Sequence, residues 1–171
     1  MARQRSYSFS LIEVVIATGI FALAITVILA LLPATVRELA DSRDAANASR
    51  LGDAIRLETQ HLATQNGFDA LAASIPVADS SFDTGLLLVA SRGSADVRPA
   101  ALVEPVLRDQ YFLIELRRFP SGQLGYDSSA AGLALSARIS WPYRALTPTG
   151  LSAPTDAANR QQVFLTVVIQ R

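Results

Sequence analysis

The sequence predicts an α+β protein in which one long N-terminal helix packs on a small antiparallel sheet. Three observations lead there. An uncharged apolar run from Val14 to Leu32 is followed by a polar segment rich in helix-forming Ala, Leu, Arg and Glu. Gly and Pro cluster beyond residue 66 rather than before it. Between those clusters lie four short stretches with the residue types or the two-residue period of strands.

The apolar run holds 19 residues. At about 1.5 Å per residue a helix of that length spans roughly 28 Å, close to the thickness of a hydrocarbon core. Arg3 and Arg5 precede it, and Arg37, Glu38 and Asp41 follow. The basic flank is expected to stay in the cytoplasm, with the rest of the chain across the membrane. Pro33 removes one helical hydrogen bond, so a bend is expected there before the helix continues. The segment 34–65 is amphipathic: Val36, Leu39, Ala40, Leu51, Ala54, Ile55 and Leu62 recur at three- and four-residue spacings, with a polar gap over 43–47. Asn66-Gly67 is a stop signal. One helix from about Phe9 to Gln65 is therefore expected, and its apolar stripe needs a partner surface.

That surface is the sheet. "GLLLVAS" (85–91) is a short apolar run, and "YFLIELRRF" (111–119) is rich in strand formers and ends at Pro120-Ser121-Gly122. "LALSARISW" alternates, with Leu133, Leu135, Ala137, Ile139 and Trp141 on one face. "QVFLTVVIQ" alternates too, with Val163, Leu165, Val167 and Ile169 opposite Phe164, Thr166, Val168 and Gln170. The intervening segments 76–85, 92–105, 121–132 and 142–160 read as loops.

Composition narrows function. Beyond Pro33 there are 13 Arg against 14 Asp and Glu, so no basic footprint for nucleic acid exists. There is no cysteine, hence neither a disulfide framework nor a thiolate metal site. His61 is the only histidine and reads as a solvated helix residue; no serine sits in a nucleophile motif. Asp79, Asp83 and Asp96 lie in loops without calcium-loop spacing. Arg117, Arg118 and Arg138 read as a solvated sheet face, and Trp141 as core or strand end. No catalytic, metal or cofactor site is expected.

Glu13 is the residue that composition does not explain. It stands at the mouth of the apolar run, four residues beyond Phe9, and an acidic group at mid-membrane costs about 3 kcal/mol on insertion scales. A cleaved secretory signal does not account for it, and "LLPATV" places Leu32 at the −3 position of a cut after Ala34. A plain signal anchor leaves it unexplained as well.

The stretch "SFSLIEVVIATGIFAL" resembles the processing motif of type IV prepilins and of the pseudopilins of type II secretion systems. The close resemblance covers about 25 residues: a short basic leader, a small residue before the cut, an aromatic new N-terminus, a Glu at the fifth mature position and an unbroken apolar helix. The family's usual Gly before the cut is Ser8 here. The resemblance implies a leader over residues 1–8, cleavage by prepilin peptidase between Ser8 and Phe9, methylation of the new amino group, a membrane half of the helix over 9–33, an amphipathic half over 34–65 and a β head over 66–171. It also implies that Glu13 pairs with the N-terminal ammonium, on Phe9, of a neighbouring subunit. A carboxylate in low dielectric becomes tolerable when it is paired and hydrogen-bonded. The partners implied are other pilin or pseudopilin subunits, the peptidase, an inner-membrane assembly platform and, before assembly, the lipid bilayer. The expected location is the bacterial inner membrane, single-pass with the head in the periplasm, and then the filament. Long loops and the lack of a cysteine pair favour a minor subunit. The competing reading is a periplasmic enzyme or binding protein held by an uncleaved signal anchor.

Overall fold

The computed structural model describes residues 10–77, 85–103, 110–120, 122–148 and 152–171. Helix α1 runs from Leu11 to Asn66 as one element with Pro33 inside it. Gly67, at φ 88°, ends it where the Asn-Gly signal falls, and a short helix α2, Phe68–Ser74, follows directly. Seven strands come next: β1 Leu87–Ala90, β2 Val97–Pro99, β3 Phe112–Arg118, β4 Gly132–Trp141, β5 Arg144–Leu146, β6 Ser152–Pro154 and β7 Gln161–Gln170. Single 3-10 turns occupy Ala100–Leu102 and Ala157–Asn159. The chain divides into two compact units, Met1–Ser42 and Arg43–Arg171, and α1 contributes residues to both.

The second unit is the α+β fold the sequence predicts, a pilin-like layout of long helix and antiparallel sheet. Its main sheet has the order β2-β1-β3-β4-β7, every pairing antiparallel. The four expected strands are β1, β3, β4 and β7. Three more lie in segments that read as loops: β2 extends the sheet beyond β1, and β5 and β6 form a separate two-stranded ribbon.

Period-two patterning fixes which face of the sheet meets α1. Leu133, Leu135, Ala137, Ile139 and Trp141 are all buried, as are Val167 and Ile169, while Phe164 and Val168 on the opposite face are exposed. Into this face α1 inserts Ala48, Leu51, Ile55 and Ala63, joined in one core by Leu71 of α2, Leu88 of β1 and Phe112 and Ile114 of β3. The helical stripe differs from the expected one at its start. Val36 and Leu39 are exposed, and burial begins at Asp44 and proceeds through Ala48, Leu51, Ile55, Thr59 and Ala63. The supposed polar gap thus contains the first buried residue of the stripe.

Strand β3 departs from simple alternation. All residues from Phe112 to Arg117 are buried, because β3 is the central strand and both of its faces are covered. This corrects the reading of Arg117, Arg118 and Arg138 as a solvated face. Arg117 is 2% exposed, and Arg138 is largely covered and lies directly opposite the buried Glu115.

Candidate functional site

The sequence singles out Ser8, Phe9 and Glu13. Ser8 and Phe9 lie outside the described residues. Glu13 stands in the first turn of α1, where its N–H donates to the Ser10 carbonyl at 3.0 Å. An acidic side chain there complements the partial positive charge of the helix N-terminus. At four-residue spacing, Glu13, Ala17 and Phe21 share one helix face, and with Val14 and Thr18 they line a shallow concavity.

The surroundings of Glu13 are apolar and uncovered. Every residue from Leu11 to Leu39 is exposed, including Ile16, Ile20, Phe21, Leu23, Ile28 and Leu31. An 18-residue window of this helix has a mean hydropathy of 2.8 and none of it is buried, so by length and composition it is able to cross a membrane. Its polar groups are satisfied within the helix. The Thr18 hydroxyl donates to the carbonyls of Val14 and Val15 at 2.9 Å, Thr26 to Ala22 at 2.9 Å, and Thr35 to Leu32 at 2.9 Å. Such internal bonding is what a helix needs where no water is at hand. Between Leu11 and Leu32, Glu13 is the only charged residue.

In the second unit, polar clusters tie elements together. Asp44, at the head of the buried stripe, accepts from Arg92 Nε at 3.0 Å, from Arg92 Nη2 at 2.9 Å and from the Tyr111 hydroxyl at 2.6 Å. The Arg92 guanidinium also lies 4.9 Å from the centre of the Tyr111 ring. Its hydrogen bonds to Asp44 hold Arg92 above the ordinary guanidinium value, against an opposing effect of burial. This cluster joins α1 to the segment after β1 and to the start of β3. Across the sheet, Arg138 of β4 donates to Glu115 Oε2 of β3 through Nε at 2.7 Å, and its Nη2 stands 2.6 Å from the same oxygen. Arg118 Nε donates to the Ile75 carbonyl at 2.7 Å and Arg117 Nη1 to the Val77 carbonyl at 3.3 Å, anchoring the segment after α2.

The remaining candidates are placed as follows. His61 is exposed on α1, 3.9 Å from Glu58 and hydrogen-bonded to Gln65. Asp96 pairs with Arg98 at 2.5 Å, whereas Asp79 and Asp83 lie outside the described residues. Among the described residues no group of three His, Cys, Asp or Glu is arranged to hold a metal ion. Trp141 is buried, its ring 5.8 Å from that of Phe112 in an edge-on contact. Sequence reasoning missed Asp44 and Glu115. Both are single acidic residues in otherwise polar or mixed surroundings, and only the register that sets Glu115 opposite Arg138 distinguishes the latter.

No protein-family model, no curated protein and no solved structure matches this chain.

Proposed function

We propose that this chain is a structural subunit of a type IV pilus-like or type II secretion filament, a minor pilin or minor pseudopilin. It is processed by prepilin peptidase between Ser8 and Phe9 and docks through Glu13 to the N-terminus of a neighbour. The observation that carries the reading is Glu13 itself: one carboxylate in the first turn of an uncovered apolar helix, lining a concavity with Ala17, Thr18 and Phe21. The pilin-like layout of the second unit supports it.

The mechanism is assembly by charge pairing. Cleavage creates an ammonium on Phe9, and methylation leaves it cationic. In the bilayer a lone subunit carries two charges at the edge of an apolar helix. Docked side by side, the carboxylate of one subunit meets the ammonium of the next, and the apolar faces of their helices pack. Docking is therefore favoured over remaining alone.

The test is Glu13→Ala. The variant inserts and is cleaved normally, because the peptidase acts at the junction and the apolar run drives insertion. Co-purification with the other filament subunits is lost, since an unpaired buried charge is left at a cost of about 3–5 kcal/mol. In a variant with cleavage blocked, removing Glu13 produces little further loss, because the ammonium never forms. Assembly of Glu13→Ala at the parent's level would show that Glu13 only marks the membrane surface.

A further inference from the structure

Among the described residues the main sheet ends in an open edge. β7 is its last strand, ten residues long, and carries neither a charge nor a proline. Proteins commonly protect edges of this kind with lysine, proline or a bulge. The direction of its main-chain groups is set by its far end, where the Arg171 N–H donates to the Ala131 carbonyl at 2.9 Å. In an antiparallel pair these groups alternate. The odd-numbered residues of β7 therefore face β4, and Gln162, Phe164, Thr166, Val168 and Gln170 face outward. The outermost carbonyl, that of Gln170, accepts from Gln60 Nε2 of α1 at 2.8 Å. Among the described residues the other four have no main-chain partner on that side.

The two walls beside this edge differ. On one side Phe164 and Val168 are more than half exposed. On the other, Ser49, Arg50, Asp53 and Arg56 of α1 border an open groove along Leu165–Val168. Asp53 lies 3.8 Å from Arg56, which leaves Arg50 as the net positive charge of that wall.

We infer that the β7 edge is a docking site for an extended strand of a different protein chain, apolar on the side that covers Phe164 and Val168 and acidic on the side that meets Arg50. The four outward main-chain donors and acceptors call for an extended partner, and the groove charge selects carboxylates on its inner face. A second copy fits worse. Antiparallel pairing of β7 with itself places a two-fold axis normal to the sheet, which keeps the α1 walls of both copies on one face and sets one net positive wall beside another.

The experiment follows amide exchange by NMR in the full chain in detergent micelles. The probes are an alternating Val-Glu peptide as long as β7, its Val-Lys counterpart, and a Val-Glu peptide N-methylated along one edge. Without peptide, the amides of Phe164, Thr166 and Val168 exchange much faster than those of Leu165 and Val167. The Val-Glu peptide slows these three, the Val-Lys peptide binds at least about fivefold more weakly, and the methylated peptide does not bind. Thr166→Pro removes only an outward donor, which an edge strand tolerates. It abolishes the slowing while leaving Trp141 emission unchanged. Slow exchange at the three amides without peptide, or equal binding of the methylated or Val-Lys peptide, would overturn the inference. Protection that rises with protein concentration alone would overturn it in favour of a second copy. Glu13→Ala leaves all these readings as they are, so failure here is separable from failure of the assembly reading.

Discussion

Replacing Asp44 by alanine removes the one acidic side chain that α1 buries at the start of its stripe. Three hydrogen bonds are lost, two from Arg92 and one from Tyr111. Bonds to a charged group contribute about 1.5–3 kcal/mol each at full burial. The Asp44 side chain is only 5% exposed, but that of Arg92 is 53% exposed and rehydrates once released, so its share is discounted toward that of a surface pair. Tyr111 is half-buried and loses its short bond to Asp44. The sum is a destabilisation of about 2–3 kcal/mol. With a urea dependence of about 2 kcal/mol/M, the unfolding midpoint falls by roughly 1 M. The assay is urea unfolding of the full chain in micelles, followed by the emission of Trp141, the only tryptophan and a buried one. Asp44→Asn retains an uncharged acceptor and falls between parent and alanine variant. Arg92→Met in the Asp44→Ala background adds little, since the pair is already broken. An Asp44→Ala midpoint within 0.2 M of the parent would refute the view that this cluster fastens α1 to the sheet.

Three further outcomes are expected. Arg138→Ala leaves Glu115 buried and unpaired and destabilises by about 3 kcal/mol, whereas Arg138→Met with Glu115→Leu recovers most of the loss; a double variant no better than the single one would contradict this, again by urea midpoint. Hydrogen bonds from Ser129 and Ser128 hold the Asp127 carboxyl below its ordinary value. A lowered value in the folded state means that the stabilisation is present above the unfolded carboxyl range and is lost as pH falls through the folded value, so the 127–130 turn loosens only in acid. NMR shifts of Ser129 and Ala130 against pH check it, and Asp127→Ala removes the transition. Residues 34–171 alone fold cooperatively, because burial on α1 begins only at Asp44; a broad, non-cooperative melt of that fragment would refute the boundary.

What was legible in the sequence follows from length of pattern. Helix α1 declares itself through 19 uncharged apolar residues and a long Ala- and Leu-rich continuation, and Asn66-Gly67 marks its end. Strands β4 and β7 are each ten residues long, enough for alternation to identify both faces. Strands β2, β5 and β6 have three residues each, too few for any period to show, and β2 and β6 end on proline. The start of the buried stripe was misplaced because Val36 and Leu39 share the spacing of core residues, whereas Asp44 buries through partners 48 and 67 residues away. Arg117 reads as solvent-facing because alternation assumes one wet face, and β3 has none. For the candidate site, Glu13 was legible as a charge out of place, while its neighbours Ala17 and Phe21 become meaningful only on the helix face they share with it.

The most direct test of the central claim is the N-terminal mass of the native protein extracted from its membrane. The expected result is a chain that begins at Phe9 with a methylated amino group, and loss of that species when Ser8 is replaced by a bulky residue such as tryptophan. A native chain that still carries Met1 and the leader through Ser8 would contradict it, because Glu13 would then have no ammonium at Phe9 to meet.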